Sequence, residues 1–154
     1  MSIYEISKDS VKEIMESTFD QLGIHERRDL QKLLRDNIEI IAPGVMIIAE
    51  EFGQWEDSRR RIDLLGIDHE ANLVVIELKR TEDGGHMDLQ SIRYAAMIST
   101  MTFSKVVNAH QEYLEKAGKN EAAENAILEF LGWDGKRLNN PTGVRGFELV
   151  PVEI

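Results

Sequence analysis

The sequence predicts an α/β chain of the α+β kind, with its strands grouped between helices. Three observations predict it. Apolar residues recur at helical spacing as far as Ile41, and do so again after Gly84-Gly85. Between them lie three β-branched, apolar runs separated by turn-forming residues. A last β-branched run, Phe147 to Ile154, follows the second set of helices.

Val11 to Phe19 reads as a first helix, with Val11, Ile14, Met15 and Phe19 on one stripe, and Gly23 breaks it. His25 to Ile41 reads as a second helix. Its Leu30, Leu33, Leu34, Ile38 and Ile41 share a face, and Pro43-Gly44 stops it. Val45 to Phe52, Arg60 to Ile67 and Leu73 to Arg80 read as strands. The turn-like segment Asp68 to Asn72 joins the last two, so the three form an antiparallel meander. His86 to Met101, Phe103 to Ala117 and Glu121 to Leu131 are helical, and residues 132–146, rich in Gly, Asn and Pro, form a loop. The final strand reaches Ile154 without a turn, so a further domain is expected beyond it. The expected organisation is one domain over residues 1–154. Its core is about 25–100, and 101–154 form a helical extension with the final strand.

With 154 residues the chain is long enough to bury a real core, and 42% apolar content excludes a disordered chain. It has no cysteine, which removes disulfide scaffolds, thiolate-bound zinc, iron–sulfur clusters and thiol catalysis. No apolar run is long enough to span a bilayer, and the first residues lack the plan of a signal peptide, so a cytoplasmic protein is expected. Eighteen basic residues against 28 acidic ones give a net charge of -10. Such a chain repels a polyanion on average. A nucleic-acid partner then requires a local basic surface, a bridging metal or another protein.

Strand side chains alternate faces. Leu73, Val75, Glu77 and Lys79 share one face of the third strand, and Arg61, Asp63, Leu65 and Ile67 share one face of the second. Closing the hairpin with Ile67 opposite Leu73 sets Leu65 against Val75, Asp63 against Glu77 and Arg61 against Lys79. Two carboxylates then meet beside a lysine in otherwise apolar strands, which is costly unless something neutralises them. Mg²⁺ does so with one or two carboxylates, waters and substrate phosphate. A neighbouring lysine meets an attacking water or the charge developing on phosphate. The plain alternative is a strand that carries Glu and Lys for solubility. Gln90 and Tyr94 project from one face of the following helix, where their polar tips reach phosphate or the lysine. The plain alternative there is an amphipathic helix with Leu89, Ile92, Ala96 and Met97 as its core stripe, Gln90 exposed and Tyr94 at the border.

The runs Arg61 to Asp68 (RIDLLGID), Leu73 to Arg80 (LVVIELKR) and Gln90 to Tyr94 (QSIRY) resemble the PD-(D/E)xK nuclease superfamily, in its RecB-like and NucS-like branch. The combined pattern is Asp-x13-Glu-x-Lys-x10-Gln-x3-Tyr, and the likeness covers about residues 25–100. One departure is that Ile62, not proline, precedes Asp63. The resemblance implies a restriction-endonuclease-like core of helix, three-stranded antiparallel meander, helix and further strand, with extra C-terminal helices. It implies Asp63, Glu77 and the Leu78 carbonyl as ligands of Mg²⁺ or Mn²⁺. Lys79 would position the water, and Gln90 and Tyr94 would complete the site. It adds a carboxylate from the first core helix, for which Glu26 is the candidate, with Glu50 and Glu51 on the first strand as alternatives. Glu26 lies one turn before Leu30 on the inner face, yet it also reads as a first-turn acid favoured by the helix dipole.

Arg59, Arg60 and Arg61 precede Asp63 and read either as phosphate contacts, chiefly through Arg61, or as a solvated strand start. The four histidines, His25, His69, His86 and His110, show no paired spacing and read as surface or capping residues. The function expected is a metal-dependent nuclease acting on DNA, as a monomer or a homodimer. The alternative is a nuclease fold reused to bind nucleic acid or protein without cutting.

Overall fold

A computed structural model describes residues 2–24, 28–53, 61–79, 87–133 and 146–153. Strands β3 (Val45–Phe52), β4 (Ile62–Asp68) and β5 (Asn72–Lys79) form the predicted antiparallel meander, and β6 (Gly146–Glu153) adds to β5 in parallel. The β4–β5 ladder runs from Ile67↔Leu73 through Leu65↔Val75 to Leu64↔Ile76, in the predicted register. Asp68 builds the turn that sets it. Its Oδ1 accepts the N–H groups of Glu70 and Asn72, both at 2.8 Å, and its Oδ2 accepts the Asn72 side-chain amide.

The sheet is covered on both faces, so its strands are almost continuously apolar. Ile62, Leu64, Leu65 and Ile67 are at most 1% exposed, and each contributes about 1.5–3 kcal/mol of apolar burial. On one face Leu65, Ile67, Leu73 and Val75 cluster with residues of α3 (Met87–Ile98), α4 (Phe103–Lys116) and α5 (Ala123–Leu131). On the other, Leu64, Val74 and Ile76 meet Ile38 and Ile41, which follow α2 (Arg28–Asp36). Gly66 lets β3 approach β4 closely: a Cβ there would press on Val45 and lie 3.1 Å from the Met46 carbonyl oxygen.

The edge strand β3 slips register between Ile47 and Ala49, a bulge centred on Ile48. Helix α4 covers that edge. Its His110 is 4% exposed, and its Nδ1–H donates to the Ile48 carbonyl at 3.1 Å. Burial holds this imidazole below its ordinary pKa of 6.5, so the ring stays neutral and serves as a buried cap.

The N-terminal prediction is corrected. Val11–Phe19 is not a helix: β2 (Val11–Ile14) pairs with β1 (Ile3–Ile6), from Ile3↔Ile14 to Ile6↔Val11. Ser7 and Ser10 close the hairpin with hydroxyls 2.7 Å apart, a local bonding pattern that competes with helix. A single helical turn, α1 (Phe19–Leu22), follows from a Thr18–Gln21 capping box. The predicted helix to Ile41 stops early. Asn37 Nδ2 donates to the Leu33 carbonyl at 2.9 Å, and the chain leaves α geometry for a 3-10 turn over Ile38–Ile40. Leu33, counted on the inner stripe, is 47% exposed, while Gln31 is buried.

The amphipathic alternative for α3 fails at Ile92 and Tyr94, while its Met97 packs on the core and its Leu89 and Gln90 side chains lie outside the described residues. Ile92 is 66% exposed, whereas Tyr94 and Ile98 are buried. The order α2, meander, α3, then β6 after the extra helices α4 and α5, is the restriction-endonuclease-like arrangement expected. Among the described residues no helix is long and apolar enough to cross a membrane.

Candidate active site

The motif strands meet where their ladder gives out. One step past Leu64↔Ile76, Asp63 Oδ2 accepts the Leu78 N–H at 2.9 Å. Asp63 is only 7% exposed, and a buried carboxylate needs such charge-assisted bonds. The predicted register set Asp63 against Glu77. The structure instead seats the Asp63 carboxylate on the amide of the next residue along β5. The N–H and C=O of one extended residue face the same neighbouring strand. The Leu78 carbonyl therefore also faces the Asp63 side.

Glu77 shares the face of Leu73 and Val75, toward α3. There the Tyr94 hydroxyl donates to Glu77 Oε2 at 2.8 Å. The Tyr94 ring sits in the core cluster with Ile98, so the hydroxyl is held by packing as well as by its bond. This supports the inward reading of Tyr94 rather than the border position of a plain amphipathic helix.

Two side chains on one face of α2, both missed from the sequence, tie that helix to the site end of the sheet. Gln31 Nε2 donates to the Asp63 carbonyl at 3.0 Å. One turn later, Arg35 Nη1 meets Glu50 Oε2 at 2.9 Å and its Nε meets Asp36 Oδ1 at 2.8 Å. Arg35 is held charged, above the ordinary arginine range, first by its bond to Asp36 and then, against the cost of burial, by Glu50. The same bond lowers the Asp36 carboxyl. The spacing Gln31, Leu34, Ile38 sets an amide on the inner face of the helix, but it does not name the backbone carbonyl that the amide meets.

Glu50 is thus committed to Arg35. Glu51 lies between the pairs Glu50↔Leu64 and Phe52↔Ile62, level with Asp63, and its φ of 48° is left-handed. Such a backbone costs a residue with a Cβ about 1–2 kcal/mol, and it breaks the alternation that would have set Glu51 on the face of Asp63. Glu51 lines a cleft of about 310 Å³ with Arg35, Glu50, Arg61, Tyr113 and Lys116. Arg61, expected on the Asp63 face, lines this cleft too and is exposed. Burial pushes the Tyr113 phenol up.

Glu26, Arg59, Arg60, His25 and His86 lie outside the described residues, as do the side chains of Lys79 and Gln90, whose backbones belong to β5 and α3. His69 stacks on Phe130 with ring centroids 4.2 Å apart. Among the described residues no three His, Cys, Asp or Glu side chains gather as a cation cage. The groups at this end that could hold a cation are the carboxylates of Asp63 and Glu77, with the Leu78 carbonyl. That set suits Mg²⁺, which is usually held by one or two carboxylates with waters and substrate phosphates.

No family model and no curated protein matches this sequence. Among solved structures the chain is similar to a complex of EndoMS with double-stranded DNA, at 19% identity and a TM-score of 0.36, over 93% of this chain. The likeness covers 51% of that protein, so this chain spans about half its length.

Proposed function

We propose that this chain is a metal-dependent nuclease that hydrolyses phosphodiester bonds in DNA, an endonuclease of repair or defence. The observation that carries this reading is the buried Asp63 carboxylate bonded to the Leu78 amide. It draws the acid of one strand onto the Glu-x-Lys segment of the next. In this reading Asp63, Glu77 and the Leu78 carbonyl hold Mg²⁺ or Mn²⁺, with Glu26 as a further carboxylate. When bound, the ion stabilises charge on the phosphate oxygens and lowers the pKa of a water.

The remaining roles fall to side chains of this chain. Lys79, two positions along β5 from Glu77, orients the attacking water. Tyr94 fixes the Glu77 carboxylate through its hydroxyl. Gln90, one turn before Tyr94 on α3, completes the site. Arg59, Arg60 and Arg61 meet the phosphate strand and offset locally the net charge of -10.

The test is cleavage of single- and double-stranded DNA with and without Mg²⁺, beside Asp63→Ala and Lys79→Ala. Wild type is expected to cut only with the metal, and each variant to lose about 10³-fold. Equal activity in all three proteins overturns the reading. No Mn²⁺ binding by calorimetry turns it toward a binding module that does not cut.

A further inference from the structure

We infer that Gln31 is a positioning residue that aims the Asp63 carboxylate, an inference that rests on the nuclease reading. Among the described residues the buried polar residues are Gln31, Asp63 and His110, and the Gln31 side chain donates to the backbone carbonyl of Asp63. His110 has a plain structural task, since it caps the carbonyl exposed by the β3 bulge. Gln31 covers no edge. A methionine would fill the same volume without the cost of desolvating an amide. What the amide adds is one fixed point, the Asp63 carbonyl, on the residue that carries the acid.

Residue 63 is therefore tied at both its carbonyl and its carboxylate. Gln31 holds its carbonyl from α2 at 3.0 Å, and the Leu78 N–H holds its carboxylate from β5 at 2.9 Å. Rotation of the peptide after Asp63 would break the first bond and free the backbone from which the carboxylate hangs. One turn along α2, the Arg35–Glu50 pair anchors the same helix to β3, where Glu50 registers with Leu64, the neighbour of Asp63. The helix thus grips the strand beside the acid at two points. Loss of such an outer contact costs roughly 10–100-fold in metal affinity or activity.

The experiment compares wild type with Gln31→Met by amide hydrogen exchange without metal, Mn²⁺ calorimetry, and Mg²⁺-dependent cleavage kinetics. In the variant the Leu78 amide is expected to exchange about tenfold faster, the equivalent of one hydrogen bond, while the Val74 and Val75 amides stay protected. Mn²⁺ affinity falls about tenfold, and kcat falls with KM for DNA little changed. Leu78 protection and Mn²⁺ affinity at wild-type levels overturn the inference. Should Gln31→Met not fold, Gln31→Asn, one methylene too short to reach the carbonyl, takes its place. Loss of protection across the whole β4–β5 ladder in both variants makes Gln31 a packing residue and also overturns it. A wild type that binds Mn²⁺ and cuts DNA beside unchanged variants sinks this inference alone. A wild type that does neither sinks the nuclease reading and this inference with it.

Discussion

Strand β4 carries an aspartate near its start and another at its end, Asp63 and Asp68. Both accept backbone N–H groups from β5 or the turn leading into it, at 2.8–2.9 Å. At the hairpin end, Asp68 gathers three bonds from Glu70 and Asn72 and closes a turn. The residues that follow it, His69 and Glu70, are exposed. At the open end, Asp63 is buried, a second acid stands beside its bonding partner, and two helices reach in through Gln31 and Tyr94. One chemical device thus stabilises a fold at one end and supports the proposed site at the other. The difference lies in what surrounds each carboxylate, not in the carboxylate.

The largest expected effect separates the two ends directly. Asp63→Ala lowers Mg²⁺-dependent cleavage about 10³-fold, while Asp68→Ala leaves cleavage near wild type and lowers stability by about 2 kcal/mol through its lost turn bonds. Cleavage assays paired with urea unfolding read both. If Asp68→Ala abolishes cleavage in a folded protein, the division of labour is wrong.

A smaller effect is expected at Tyr94. Tyr94→Phe keeps the ring in the core and removes the bond to Glu77. Activity should fall about tenfold through weaker metal binding, with stability lower by about 1 kcal/mol. Calorimetric Mn²⁺ titration of the variant checks the cause, since unchanged affinity would assign Tyr94 to packing alone.

The smallest effect is expected at His110, whose bond goes to Ile48 on β3. Its folded pKa is lowered by burial, with Glu121 and Lys119 acting on it in opposite directions. The unfolded chain therefore takes up the proton first as pH falls. Stability from the neutral ring is complete above about 6.5 and declines as pH drops through the lowered folded value. Thermal unfolding between pH 7 and 5, beside His110→Gln, measures it, and equal slopes in the two proteins would remove His110 as the cause.

The meander was legible because its signals are local. The apolar runs bracket a polar turn whose length sets the register, and pairing to Leu64↔Ile76 follows at once. The inward Tyr94 was legible only through the combined motif, because periodicity alone favoured Ile92, which is exposed. Gln31 was not legible, since its partner is a backbone carbonyl many residues away and a lone polar residue on a helix carries no sign of that. The first hairpin was misread for a related reason. Val11 and Ile14, three apart, favour one helix face, but four residues are too few for that spacing to prevail, and the Ser7–Ser10 turn closes a hairpin instead. Glu51 was weighed as an acid of the site, but its left-handed backbone is a property no composition reveals.

The parallel partner of β5 governs how the molecule reaches this state. Asn72 through Lys79 pairs with Gly146 through Glu153, so the strand bearing Glu77 and Lys79 takes its outer neighbour from far downstream. Hairpins close in microseconds, whereas a parallel partner must wait for a long loop to close. Until that happens, an apolar strand offers its free edge to any other chain. The folding rate and the risk of aggregation are therefore set by the same late docking event.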